Sequence, residues 1–349
     1  MPWGWPSARP CSSSDCCSLL PGCFPPRRFR LLWTGRIVSV IESPQRRTAA
    51  VIAAFNPDDE LLTNAAAIAA QVGQLVVVDD GSTSPTATSI FDHLTGTGVT
   101  VLRLDQNSGI AAALNRGIEE LGSTTRPEFV LTFDQDSLPV PDYVSRALAT
   151  FDDATAQGKK VGFVSAESFS GHRVPVLGTA NGLNEAFDPM QSGFFIPMST
   201  LAKLGDFEAG FFIDCVDSEF TARVRAAGYS ILIGAGCEVG HRLGARLPAK
   251  MLGRPVRLRG NDLSFNYYSP FRMYYIMRNG TTLVRRYWRR NPVWVIRRLA
   301  EDAKAQLLRF AFSPDRRYLA IAAWEGLVDS CRGRQGRISQ DLLNRIQPR

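Results

Sequence analysis

Three acidic clusters follow one another in this chain, and their residue types and spacing can do chemistry. Asp79 and Asp80 end the apolar run Val76-Val77-Val78 and lead into Gly81-Ser82. Asp134 and Asp136 flank Gln135 directly after the run Phe129–Phe133. Asp214, Asp217 and Glu219 crowd the stretch Phe212–Glu219. Carboxylates at the carboxyl ends of parallel strands stand where open α/β sheets bind ligands. An Asp-x-Asp at such an end can hold a hard divalent cation, which takes oxygen ligands and can bridge a diphosphate. The third cluster lies too far along the chain to share that turn, and its carboxylates are candidates for a base.

Strands must carry these groups. Ala49–Phe55 reads as a first buried strand, stopped by Asn56-Pro57, with further strands at 74–78, Val99–Leu104 and Phe129–Phe133. Asp58–Val72, Pro85–Leu94, Ser108–Leu121 and Pro141–Ala156 have helical spacing. Strands alternating with such helices imply βαβ units and a mostly parallel sheet. Beyond the strand Val161–Ser165 the pattern is mixed. Gln191–Pro197 is apolar, Asp217–Ala227 fits a helix stopped by Gly228, Tyr229–Ile233 fits a strand, and His241 falls in an expected loop, Gly240–Gly244. Asn266–Arg290 and Pro292–Phe312 read as helices, the second with an apolar stripe of Ile296, Leu299, Ala303, Leu307 and Phe310.

The 349 residues suffice for one large domain or two smaller ones. The net charge of +7 is strongly segregated. Residues 48–245 hold 11 Lys/Arg against 24 Asp/Glu, whereas 246–300 hold 13 against the single Asp262. The expected organisation is a disordered tail over 1–46, an α/β domain over 47–245 and a basic helical region over 246–349. The basic segment is either a solvated face or a surface for an anionic partner. Seven Cys without a Cys-x-x-Cys spacing argue against a zinc ribbon, and Cys215, Cys237 and Cys331 read as small buried hydrophobes. No apolar run approaches the roughly 18 residues that suggest a spanning helix. The expected location is cytoplasmic, with peripheral attachment to the inner face of the plasma membrane as an option.

The ordered set Asn56-Pro57, Val78–Ser82, Asn107–Gly117, Asp134-Gln135-Asp136, Ser192-Gly193 and Asp217-x-Glu219 resembles glycosyltransferase family 2. Within that family the bacterial rhamnosyltransferases are most similar, through Phe133–Ser137, Phe212–Asp217 and Tyr267–Asn279. The resemblance spans residues 48–280. It implies the GT-A fold, an α/β Rossmann-like architecture whose mostly parallel central sheet is flanked by helices, here with a basic C-terminal helical extension.

The resemblance also implies roles. Asp79 and Asp80 would lie near the base and ribose of a sugar nucleotide, with Asp80 accepting from the pyrimidine N3–H; a plain Asp-Gly turn is the other reading. Asn56 would belong to the same site. Asn107 and Asn115 either contact the nucleotide or cap local backbone. Asp136 would hold Mg2+ or Mn2+, Asp134 would support the ribose or the metal, and His241 is either a further ligand or an ordinary loop histidine. Asp217 matches the family's general base, although Val216 replaces the Glu that often precedes it. Asp214 and Glu219 are rivals, and Asp217 at a helix start is also a natural cap.

The implied reaction is inverting transfer of a sugar, L-rhamnose from dTDP-L-rhamnose, to a hydroxyl of a saccharide or lipid-linked saccharide in cell-envelope polysaccharide synthesis. A UDP-sugar transferase (galactofuranosyl or hexosaminyl) and a catalytically silent nucleotide-sugar-binding protein are the alternatives. A nucleotidyltransferase would open with a Gly-rich loop and a Lys or Arg, where this chain has Ala53–Pro57. Arg285, Arg286, Arg289 and Arg290 with Trp288 and Trp294 suit an anionic bilayer. No nucleic-acid-binding signature accompanies them, so no nucleic acid is expected.

Overall fold

Short continuous apolar runs become strands buried on both faces, and the amphipathic segments between them become helices that cover those faces. The computed structural model describes residues 47–242, 246–251, 254–258 and 260–347. The expected tail over 1–46 lies outside the described residues, as does Gly244. The chain begins with β1 (Thr48–Ala54), α1 (Glu60–Ala69), β2 (Gln74–Asp79), α2 (Pro85–Gly96), β3 (Thr100–Arg103), α3 (Ile110–Thr124) and β4 (Phe129–Asp134). It continues through β5 (Ser137–Pro139), α4 (Tyr143–Ala156), β6 (Val161–Ser165), β7 (Ser168–Phe169), β8 (His172–Arg173), β9 (Val176–Ala180) and β10 (Leu183–Ala186). Then come β11 (Phe194–Pro197), α5 (Met198–Leu204), α6 (Val216–Ala226), β12 (Ser230–Ile233) and β13 (Glu238–His241).

Nine strands form the central sheet in the order β3-β2-β1-β4-β11-β6-β12-β10-β9. All run the same way except β11 and β10, so the sheet is mostly parallel as expected. The register pairs Ala54 of β1 with Asp79 and Ala53 with Asp134. The first two acidic clusters are therefore level with each other on either side of β1.

A smaller sheet, β5-β13-β7-β8, starts with β5 directly after the second acidic cluster. Here one expectation is corrected: His241 is the last residue of a strand, β13, and lies opposite Ser137 of β5. Among the described residues, 246–248 pairs with 264–266, 250–251 with 254–255 and 257–258 with 261–262, each as a short antiparallel ribbon. Because 264–266 is paired in one of them, the helix expected from Asn266 starts at Pro270.

Four helices close the chain: α7 (Pro270–Tyr287), α8 (Pro292–Phe312), α9 (Arg316–Cys331) and α10 (Gln340–Ile346). Met273, Tyr274 and Tyr275 of α7 pack with Leu319 and Ala322 of α9, and Phe212 of the third acidic cluster joins that apolar group. Cys215 and Cys237 are buried as expected, whereas Cys331 is exposed.

Candidate active site

The Asp-x-Asp turn is positioned by bonds on three sides. Gln135 Oε1 accepts from Phe55 N at 2.8 Å, and Gln135 O accepts from Asn64 Nδ2 at 3.0 Å. Ser192 Oγ accepts from Asp134 N at 3.3 Å and donates to Ser137 Oγ at 2.7 Å. Gly193, at φ +84°, leaves room for the Tyr143 hydroxyl, which donates to the Gly193 carbonyl; a Cβ there would stand 2.4 Å from that oxygen.

Asp134, Asp136 and His241 converge. One ligand atom from each lies within 4.8 Å of the others. His241 Nδ1 is 3.2 Å from both Asp136 Oδ1 and Ser137 Oγ. Burial pushes the Asp134 carboxyl up to about 6, with the neighbouring His241 pulling it down and Asp136 adding to the rise. Burial disfavours a charged His241, but its hydrogen bond to Asp136 and the charges of both aspartates outweigh that and raise its pKa. Two hard oxygens and an imidazole nitrogen fit Mg2+ or Mn2+ chemistry. Gln191, which sequence reasoning assigned only to an apolar run, donates Nε2 to Asp134 Oδ1 and shares the cavity lining.

That cavity measures about 660 Å³. Asp134, Asp136 and His241 line it together with Asp214, Cys215, Val216 and Asp217 of the third cluster. Arg242, Arg246 and Arg272 stand around it, with Tyr268 and Met190. Carboxylates and arginines lining one cavity suit a ligand with both sugar hydroxyls and phosphate charge.

The third cluster rests on strained backbone. Phe212 (φ +64°, ψ −65°) has the rare positive-φ γ-turn conformation, closed by Ile213 N donating to Phe211 O at 2.8 Å. Asp214 and Cys215 follow at φ +61° and +63°. Such residues cost energy and persist only where surrounding bonds fix them. Asn279 of α7 supplies those bonds, Nδ2 donating to the carbonyls of Phe211, Ile213 and Asp214, each at 2.9 Å. Buried Arg278 donates to the carbonyls of Gly210, Phe211 and Gly336. On the other side Gly109, at φ +94°, touches Phe212, and Ile110 N donates to Phe212 O at 3.0 Å.

The three carboxylates of this cluster have different fates. Asp214 is ion-paired with Arg272, which stacks over Tyr268 at 4.4 Å. Glu219 is 3% exposed, pairs with Arg223 at 2.7 Å and accepts from the Tyr287 hydroxyl at 2.7 Å. Asp217 sits in the first turn of α6, where Oδ1 accepts from Ser218 N at 2.8 Å. Among the described residues its Oδ2 has no hydrogen-bond partner. Burial raises its pKa, Arg298 and the Ser218 N–H lower it, and Asp214 and Asp134 push it up again. Arg298 reaches from α8 to Asp188, Ser218 Oγ and Cys215 Sγ. Sequence reasoning missed Arg298 and Asp188, which no local spacing joins.

The expected nucleotide residues are distributed less simply. Asp79 Oδ1 accepts from Ser82 N at 2.8 Å, and its Oδ2 lies 3.4 Å from Arg103. Asp80, 4% exposed, accepts from Ser108 N at 2.7 Å and Gly109 N at 2.9 Å. Asn56 Oδ1 accepts from the backbone N–H groups of Thr83 and Ser84. Asn115 caps backbone, its Oδ1 accepting from Phe207 N and its Nδ2 donating to Phe207 O. Asn107 Oδ1 is buried with no partner among the described residues. None of these five lines the 660 Å³ cavity.

Residues 49–211 match the family model described as glycosyl transferase family 2. No curated protein matches the chain. Among solved structures, S. aureus TarS 1-349 is similar at 14% identity with a TM-score of 0.52, over 81% of this chain and 80% of that one. The longer TarS chain is similar at 14% identity and TM-score 0.48, over 85% of this chain and 50% of that one. GalNAc-T7, solved with UDP, GalNAc and Mn2+, is similar at 14% identity and TM-score 0.47, over 66% of this chain and 47% of that one. This chain thus spans about half the length of the longer TarS chain and of GalNAc-T7. The TarS 1-349 likeness is one of fold, and the match to glycosyl transferase family 2 covers residues 49–211, somewhat less than half of the chain.

Proposed function

We propose that this protein is an inverting glycosyltransferase that moves L-rhamnose from dTDP-L-rhamnose to a hydroxyl of a saccharide or lipid-linked saccharide at an anionic membrane. The observation that supports it is the sharing of one cavity by the Asp134–Asp136–His241 group and Asp217. In this reading 47–245 carry the donor and the base, and the basic region after 246 faces the acceptor.

Asp217 takes the proton from the acceptor hydroxyl as its oxygen attacks the anomeric carbon. The bond from that carbon to the diphosphate breaks with its electron pair leaving on the diphosphate, and the configuration inverts. Asp134, Asp136 and His241 would hold a divalent cation, which would supply positive charge for a departing diphosphate. Arg272 keeps Asp214 paired, so Asp217 is the carboxylate of the third cluster with an oxygen left to accept a proton. Asp79 and Asp80 shape the turn that receives the base and ribose, working through the backbone of Ser82, Ser108 and Gly109.

A UDP sugar is the second reading for the donor, since TarS 1-349 has been solved with UDP-GlcNAc. Thermal-shift titration with Mn2+ and dTDP-L-rhamnose, UDP-GlcNAc or GDP-mannose separates the two: the largest stabilisation should come from dTDP-L-rhamnose. Clear preference for the UDP sugar would move the assignment to a hexosaminyl or galactofuranosyl transfer. Donor hydrolysis without acceptor distinguishes an enzyme from a silent binding protein.

A further inference from the structure

We propose that α8 is the element that docks this protein on an anionic bilayer, lying along the surface with its apolar stripe among the lipids. The inference rests on the membrane reading above and names the part of the chain that carries it. Val293, Ile296, Leu299 and Leu307 are 71%, 68%, 48% and 71% exposed. At 3.6 residues per turn these positions, with Ala300 and Ala303, fall within an arc of about 120° that holds no charged residue.

The orientation of the helix is fixed from behind. Trp294 is buried and donates Nε1 to Phe187 O at 3.0 Å. Arg298 holds Asp188, and buried Arg309 donates to Asn266 O at 3.0 Å. Turning the stripe inward would break all of these, so α8 keeps its apolar side in solvent and two arginines inside. A soluble amphipathic helix ordinarily does the opposite.

Charge selects the occupant. At the entry to α8, Trp288 is 57% exposed beside Arg289 and Arg290, whose guanidinium groups have no partner among the described residues. Lys304 borders the stripe, also without a partner among the described residues. Aromatic and cationic side chains edging an apolar stripe match the lipid interface, where each cation near an anionic surface adds attraction. A second copy of the chain would bring like charges together.

The catalytic cavity lies on the way. Arg246 lines both that cavity and a smaller one of about 250 Å³ whose other wall includes Lys304 and Leu308 of α8. A bilayer under α8 would therefore present an acceptor headgroup beside the cavity mouth.

The test is co-sedimentation of the full chain with vesicles of phosphatidylcholine alone or mixed with phosphatidylglycerol. Wild type should bind the mixed vesicles. I296Q/L307Q should bind them roughly tenfold or more weakly while its melting temperature stays unchanged, because two exposed apolar side chains lose their lipid contact. If I296Q/L307Q binds like wild type and R289Q/R290Q does not, charge alone holds the protein, the role of α8 is overturned and the membrane reading survives. If wild type binds neither vesicle, the membrane reading itself fails. If wild type ignores vesicles but sediments as a dimer that I296Q/L307Q converts to monomer, the stripe covers a second copy and the proposal is wrong.

Discussion

Arg278 donates its Nε hydrogen to Asn279 Oδ1 at 2.9 Å, and this bond fixes which end of the Asn279 amide meets the third acidic cluster. With Oδ1 occupied, Nδ2 points at the carbonyls of Phe211, Ile213 and Asp214. Two neighbours on α7 thus hold the positive-φ loop that presents Asp217 to the cavity.

Removing the amide should free that loop. Asn279→Ala leaves the Ile213 and Asp214 carbonyls without this donor, while Phe211 O keeps Arg278 and Ile213 N. Each unsatisfied buried group costs about 1–3 kcal/mol, so a loss of about 3 kcal/mol is expected. Urea unfolding measures the loss. Turnover of the folded protein should fall with donor affinity nearly unchanged, because the acidic turn at Asp134 is held by other bonds. Unchanged stability would show that the loop holds its own shape.

A divalent cation should bind the Asp134–Asp136–His241 group. Isothermal titration with Mn2+ should register a site that Asp136→Ala abolishes and His241→Ala weakens by roughly 10- to 100-fold, as for loss of a supporting group at a metal centre. Full turnover of the wild type in excess EDTA would contradict the metal's role.

Much of this was legible before the structure. Continuous apolar runs before Asp79 and Asp134 marked buried strands, and their register is what sets the two acidic turns side by side. The strand character of His241 was hidden because β13 is only four residues long and is stabilised by distant partners, Ser137 and Ser168. Asn56 and Asn115 had the composition of ligand contacts, yet their amides bind backbone far away in sequence. Arg278 and Asn279 lay inside a recognised stretch, but nothing local shows that a helix more than 60 residues downstream holds the loop at 211–214.

The base should respond to Arg298. Asp217 acts only when ionised, and burial raises its pKa while Arg298 lowers it. Turnover at saturating cation should therefore fall as pH drops through this raised value. Arg298→Gln removes the lowering charge, so the acid limb of kcat against pH should move to higher pH. A limb that stays in place, or moves to lower pH, would show that another group governs the profile.

The central claim is that Asp217 accepts the acceptor's proton, and Asp217→Asn tests it most directly. The substitution keeps shape and the Ser218 contact but removes basicity. Single-turnover rates should fall roughly 10²–10⁴-fold, the range for loss of a general base, with donor affinity little changed. Glu219→Gln provides the contrast: its partners Arg223 and Tyr287 make it structural, so the variant should lose stability while its folded fraction keeps its rate. An Asp217→Asn enzyme near wild-type rate, beside an inactive but folded Glu219→Gln or Asp214→Asn, would contradict the account.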